Sequence, residues 1–411
     1  MKCTLLLSLP ILLLLTCNQA PNYSFPVEVD TRTKEISVQE KKTWAFPEVG
    51  LTVDNEFDGA RLNAVRQIND TSYTFIIEPE NGPINPSPWY AMRFKSDRDQ
   101  TISVRLTYPP NVHHRYFPKI STDRQNWAPV DSAMVTLGLG QFTADVRMNL
   151  RAGQTHYLAG QEVINSTDVA DWLDDLNTRY EVVSAFSAGE SKLGRNLPAF
   201  SISKGKPDMR PTIVLLSRQH PPEVTGFLCL QAFIDGLLEH PRRDEFLDKY
   251  QLLVYPLLNP DGVDMGHWRH TAGGIDSNRD WARYRQPEAR QVADGIVATM
   301  KKTKSRVVLG MDFHSTYKDV YYTHNDEVEP PTALPCFKDA WLAAIEQEIG
   351  GDFRINEDAE PIGKPTTMSW FRTQFGAEGI TYEIGDGTDR AFVRRKGQVS
   401  ADALVEVLLS R

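Results

Sequence analysis

Residues 212–238 read TIVLLSRQHPPEVTGFLCLQAFIDGLL. The opening TIVLL is an unbroken apolar, β-branched run, the pattern of a strand buried on both faces. From about Pro222 the apolar residues recur at helical spacing, and proline is tolerated at a helix start. A strand that feeds a helix through a short turn is the building unit of an α/β sheet. His220 and Glu223 stand three apart at that junction, where an imidazole and a carboxylate can converge on one ion. His-x-x-Glu is common by chance. The pair gains weight only if the chain also supplies another ligand and a proton-transfer group.

Working outward, strands and helices alternate beyond residue 180. Strand-like runs fall at 180–186, 199–203, 213–216, 252–257, 307–313, 320–323 and 380–384. Helical patterns cover 224–239, 288–301, 333–349, 367–375 and 399–409. This alternation predicts an α/β fold, a mixed, mostly parallel sheet with helices on both faces. In such sheets chemistry gathers beyond the carboxyl ends of the strands. His220, Asn259, His314 and Glu383 each fall at the end of a predicted strand.

Residues 22–165 carry another pattern. Short alternating or β-branched runs at 73–77, 89–94, 101–108, 134–137 and 142–148 are separated by turn clusters such as Glu80-Asn81-Gly82-Pro83. They predict an antiparallel β-sandwich. A helical stretch at 168–180 marks the boundary, dividing the chain into a β domain at 22–165 and an α/β domain at 166–411, which carries the candidate site residues. His113, His114 and His156 in the first part have no carboxylate at ligand spacing. That part reads as a packing or substrate-gating module.

A length of 411 residues suits two domains. With 41% hydrophobic and 24% charged residues the chain is an ordinary globular protein. Its net charge of −9 and the lack of any Lys/Arg run exclude nucleic acid as a partner. Met1-Lys2 and the apolar run at 5–15 read as a signal peptide spanning 1–17, too short to cross a membrane as a helix. Leu14-Leu15-Thr16-Cys17 resembles a bacterial lipobox, with Thr16 off its pattern. The expected address is the bacterial cell envelope, lipid-anchored through Cys17; the alternative is a secreted or periplasmic soluble form. Cys3 leaves with the leader. A disulfide between Cys229 and Cys336 is permitted by that address but not demanded. The sequons at Asn22, Asn69 and Asn165 read as chance.

Asp312-Phe313-His314-Ser315 closes a strand and offers the third ligand. Two histidines and one carboxylate make the composition of a catalytic zinc site. Residues 259–281, NPDGVDMGHWRHTAGGIDSNRDW, hold Arg269, Asp276, Asn278 and Arg279. An arginine fork fits a carboxylate, and a neighbouring amide adds a donor. Glu383 ends the last strand in TYEIGDGTDR (381–390), where it could take a proton from water and pass it to a leaving amine. Asp386 and Asp389 are rivals, but they lie in the turn that follows. His267 and His270 make another possible metal pair with no third ligand suitably placed.

Together and in this order, these motifs resemble those of the M14 family of zinc carboxypeptidases, the carboxypeptidase A clan, over roughly residues 180–411. NPSPWYAMRF (85–94) resembles the amino-terminal domain of the cytosolic-carboxypeptidase branch. The resemblance implies one zinc ion held by His220, Glu223 and His314, with Glu383 as general base and then acid. It implies that Arg269 stabilises the oxyanion, that Asn278 and Arg279 clamp the free C-terminal carboxylate of a peptide substrate, and that Asp276 orients His220. Trp370 matches a family tryptophan.

Departures bear on the substrate. An arginine that many relatives carry just before the metal-binding glutamate is here Pro222. The place of a substrate-contacting tyrosine is Pro361. Met368 falls where side-chain choice is governed and implies an apolar or permissive pocket. The expected function is release of C-terminal residues from peptides. The alternatives are an amidohydrolase acting on murein stem peptides or N-acyl amino acids, and a non-catalytic envelope-binding protein. The presence of every expected catalytic and ligand residue weighs against the last.

Overall fold

The computed structural model describes residues 19–411. The segment 1–17 expected to be a leader, with Cys17, lies outside the described residues. Thr212–Ser217 forms the expected strand, every residue of it buried. It runs parallel to Gln251–Tyr255 on one side and to Val307–Thr316 on the other. Val307–Thr316 in turn pairs in parallel with Glu378–Gly385. Antiparallel strands finish the sheet. Val183–Glu190 and Asn196–Ile202 lie at one edge. At the other, Val320–His324 pairs antiparallel with Glu378–Gly385 and carries Glu357–Glu360. The result is an eight-stranded mixed sheet with a parallel centre.

The period-2 alternation of the central strand explains the two layers of helices. Ile213 and Leu215 face a cluster built with helices Val224–Glu239, Phe337–Ile349 and Arg390–Leu409. Val214 and Leu216 face the opposite cluster, with Pro287–Thr303 and Thr367–Phe375. Burial on both faces is why TIVLL carries no polar alternation.

Residues 43–159 build two further sheets, of six and five strands, around a separate apolar cluster. The antiparallel expectation needs one correction: Ser72–Ile76 runs parallel to Gln100–Thr107. The chain leaves the five-stranded sheet after Ile76, lays Ala91–Ser96 in the opposite sheet, and returns in its original direction. Residues ahead of the first strand lie along the α/β part. Tyr23 donates its backbone N–H to Ala282, Val27 to Gly363 and Lys34 to Gly273.

Helix ends follow local chemistry. Ser166–Arg179 begins two residues earlier than the apolar pattern predicts because Asn165 and Asp168 form a reciprocal capping box. Val224–Glu239 covers the residues the helical pattern predicts, with Glu223 in a non-helical conformation (φ −81°, ψ 67°) at the N-cap position. Cys229 is buried, Cys336 is exposed, and both are free thiols.

Candidate active site

The turn after Thr212–Ser217 brings His220 and Glu223 against His314, which sits near the end of Val307–Thr316. One donor atom from each lies within 4.8 Å of the others, the single such group of metal-capable side chains among the described residues. Glu223 is central: its Oε1 lies 2.8 Å from His220 Nδ1 and its Oε2 2.6 Å from His314 Nδ1. Close packing permits this. A Cβ on Gly226, in the first helical turn, would lie 2.4 Å from the His314 carbonyl oxygen, so only glycine lets that turn reach the strand. The Gly226 N–H donates to Ser315 Oγ at 2.8 Å, which locks the approach.

The donor set suits a zinc ion. His220 Nε2 lies 2.8 Å from Asp276 Oδ1, and His314 Nε2 lies 2.8 Å from Asp312 Oδ2. An imidazole that gives its Nε2 proton to a carboxylate presents a lone pair at Nδ1. Both Nδ1 atoms then face the lone pairs of Glu223, an arrangement stable only with positive charge between them. A second ring proton or a cation meets that need. For His314 burial opposes protonation, yet Asp312 and then Glu223 raise its pKa well above the ordinary value. For Glu223 burial pushes upward, and His220 and His314 outweigh it and hold the carboxyl well below its usual range.

Glu383 lies beside this group in the next strand. Its Oε2 has no hydrogen-bond partner within the protein. Burial first, and then the Glu223 charge, push its pKa up to about 8. The two rivals are engaged elsewhere. Asp389 caps Arg390–Leu409 by accepting from the backbone of Ala391 and Phe392. Asp386 is bound at 2.7 Å by Arg115 Nε, from the strand-rich part of the chain.

Asp276 ties the remaining residues together. Beyond His220, its Oδ2 accepts from Arg269 Nε at 2.8 Å and its Oδ1 from the Asn278 backbone N–H at 2.9 Å. The Asn278 side chain is committed more than expected: Oδ1 accepts from the Thr367 N–H at 3.0 Å, and Nδ2 lies 3.2 Å from His314 Nε2. Arg279 and Arg269 line the same cleft, as does Met368. Met368 is held there by the close approach of its helix to Gly379, where a Cβ would meet the Met368 carbonyl at 2.4 Å. The cleft measures about 300 Å³, at the lower end for small-ligand sites.

His267 and His270 stand apart from the metal group. His267 Nδ1 lies 2.9 Å from the His270 carbonyl, and His270 Nδ1 lies 2.6 Å from Asn81 Oδ1. His270 thereby reaches across to the strand-rich part, while His267 bonds within its own segment.

Several residues carry parts the sequence did not announce. Asp312 holds His314 and also accepts from Gln219 Nε2 and Thr367 Oγ1. Its spacing of two from His314 on a strand, which puts both side chains on one face, was the available signal. Arg115 bonds Asp386 and the Ser315 carbonyl, and its guanidinium lies 4.7 Å from the exposed ring of Tyr317. With Asn85 and Pro86 it brings the strand-rich part into the cleft wall. Tyr317, Tyr322 and Pro361 line the cleft as well.

Comparisons with known proteins agree with this geometry. The chain is 25% identical over 297 residues to an uncharacterized protein of Zymomonas mobilis, covering 70% of this chain and 71% of that one. It is 22% identical to cytosolic carboxypeptidase 6 of Mus musculus, covering 64% of this chain but 53% of the mouse protein. Among solved structures, a metallo-carboxypeptidase from Burkholderia cenocepacia superposes with a TM-score of 0.70 at 19% identity, over 87% of this chain and 98% of that one. A Pseudomonas aeruginosa metallo-carboxypeptidase in complex with (2-guanidinoethylmercapto)succinic acid gives 0.69 at 16% identity, over 87% and 98%. Coverage of that extent takes in the strand-rich part, so both parts of the fold are shared. The zinc carboxypeptidase family model matches residues 169–401, more than half of the chain and every residue of the cleft's metal group, and this protein belongs to that family.

Proposed function

We propose that the protein is a zinc-dependent metallocarboxypeptidase that hydrolyses the C-terminal peptide bond of peptides. One observation carries this reading: His220, Glu223 and His314 converge within 4.8 Å beside a carboxylate, Glu383, that has a free oxygen. Those three side chains would hold the ion. When bound, zinc polarises a carbonyl and lowers the pKa of water towards neutrality.

The chain's own groups account for the rest. Glu383 Oε2 takes the proton of the attacking water and returns it to the leaving amine. Arg269, fixed through Nε by Asp276, presents its remaining N–H groups to the oxyanion, the kind of charge stabilisation that is often the largest catalytic contribution. Arg279 pairs with the substrate's terminal carboxylate, and the Asn278 amide closes that end of the cleft. Met368 faces the departing side chain and suits an apolar or permissive choice. The leader at residues 1–17 supports an envelope address for this activity.

The test is hydrolysis of matched peptides with free and amidated C-termini, followed by mass spectrometry, before and after chelation and after restoring zinc. Loss of single residues from free-acid peptides only, abolished by the chelator, is the expected result. Equal cleavage of amidated peptides would defeat the exopeptidase reading. Cleavage confined to muropeptides would favour the amidohydrolase.

A further inference from the structure

We propose that Glu80, from the strand-rich part of the chain, is a positioning residue for Arg269, so that residues 43–159 complete the catalytic site. This rests on the carboxypeptidase reading above and on the role that reading gives Arg269.

Glu80 is fully buried in the turn that follows Ser72–Ile76. Its carboxylate accepts three consecutive backbone N–H groups: Trp268 at 2.7 Å on Oε2, and Arg269 at 3.0 Å and His270 at 2.6 Å on Oε1. Consecutive amides aimed at one anion form a nest that fixes the backbone carrying them. Burial alone would raise the Glu80 pKa, but His267 and the His270 and Trp268 amides more than offset it, so the acid stays ionised.

The flanking side chains are gripped from the same direction. The Trp268 ring sits within the apolar cluster of the strand-rich part, and its Nε1 donates to the Trp89 carbonyl at 3.1 Å. Asn81 holds His270. Arg269, between them, projects instead to Asp276 and the cleft. Its guanidinium is therefore aimed from two ends: Asp276 fixes the side chain, and Glu80 fixes the main chain from which it departs.

An oxyanion donor is useful only where charge develops, and a misplacement of about 1 Å costs about a hundredfold in rate. A buried carboxylate that merely joins two parts of a chain would be expected to affect stability. One that positions Arg269 has a different signature, because its effect must pass through that residue.

A double-mutant cycle separates the two, using Glu80→Ala and Arg269→Ala singly and together, with kcat and KM for a free-acid peptide, zinc content and melting temperature. Glu80→Ala should lower kcat about a hundredfold with KM within about twofold and zinc retained. Added to Arg269→Ala it should cost less than about threefold more, because residues acting as one unit are not additive. Losses that multiply, or a raised KM with kcat intact, would overturn the proposal. Should Glu80→Ala not fold, Glu80→Gln keeps one acceptor oxygen and the same cycle is read with it. A native protein that releases no C-terminal residue defeats the carboxypeptidase reading instead. An active native protein whose two losses multiply defeats this inference alone.

Discussion

His314 and Glu383 are register partners on adjacent parallel strands, Val307–Thr316 and Glu378–Gly385. The pairing puts a metal-capable imidazole and an unpaired carboxylate side by side at one rim of the sheet, on backbone that neither can leave. Proton transfer needs that constancy, because a base must meet the same water in every cycle. Glu383→Gln should therefore keep the fold and the zinc while kcat falls by about two to four powers of ten. Metal content by atomic absorption and turnover on a free-acid peptide check both halves. Loss of zinc in this variant would move Glu383 into the metal's own shell.

Asp312 makes a separate prediction. It holds His314 from behind, in a network with Gln219 and Thr367. Replacing it with alanine leaves every proposed zinc ligand in place but frees one imidazole to turn. Zinc affinity, measured by competition with a chromogenic chelator, should fall about 10- to 100-fold. An unchanged affinity would show that strand packing alone orients the ring.

How much of this was legible in the sequence depended on how local the signal was. TIVLL announced a doubly buried strand, and His220 with Glu223 stood at its end, because both facts sit within a dozen residues. His314 and Glu383 were readable for a related reason: each ends an apolar run, and ligand and base types are few. Arg115 and Glu80 were not readable. The Glu80 contact with Arg269 spans 189 positions, and no periodicity records which surfaces of two separately built parts will meet. The parallel pairing of Ser72–Ile76 was hidden too, since strand patterns do not say which of two facing sheets a chain visits next.

Gly226 tests the link between packing and the metal group. A methyl there would lie 2.4 Å from the His314 carbonyl oxygen, and backbone cannot yield as a side-chain tip can. Gly226→Ala should destabilise the fold by about 1–3 kcal/mol through overpacking. It should also weaken zinc binding, because the helix bearing Glu223 is levered off the strand bearing His314. Urea unfolding of the zinc-loaded and chelated forms checks this. A variant less stable only after chelation would place the strain elsewhere.

Glu378 opens the same strand as Glu383 but has no part in the site, which makes it a clean probe of burial. It is buried, its Oε1 has no hydrogen-bond partner, and its Oε2 accepts only a 3.2 Å bond from Thr332 Oγ1. Burial, and then the Asp326 charge, raise its pKa from 4.5 to about 7, with Arg372 pulling the other way. The folded state thus binds a proton that the unfolded chain has released across that interval. Stability from this group is full below about pH 4.5, falls as pH rises through about 7, and is level above, a loss of about 3 kcal/mol. Glu378→Gln removes the ionisation, so the variant should gain on the native protein as pH rises from about 5 to about 7 and hold that gain at pH 8. The quantity to follow is the difference in unfolding free energy at each pH, since other groups titrate equally in both proteins. A difference that stays constant from pH 5 to pH 8 would mean that Glu378 is already ionised in the fold, with Arg372 or Lys338 holding its charge.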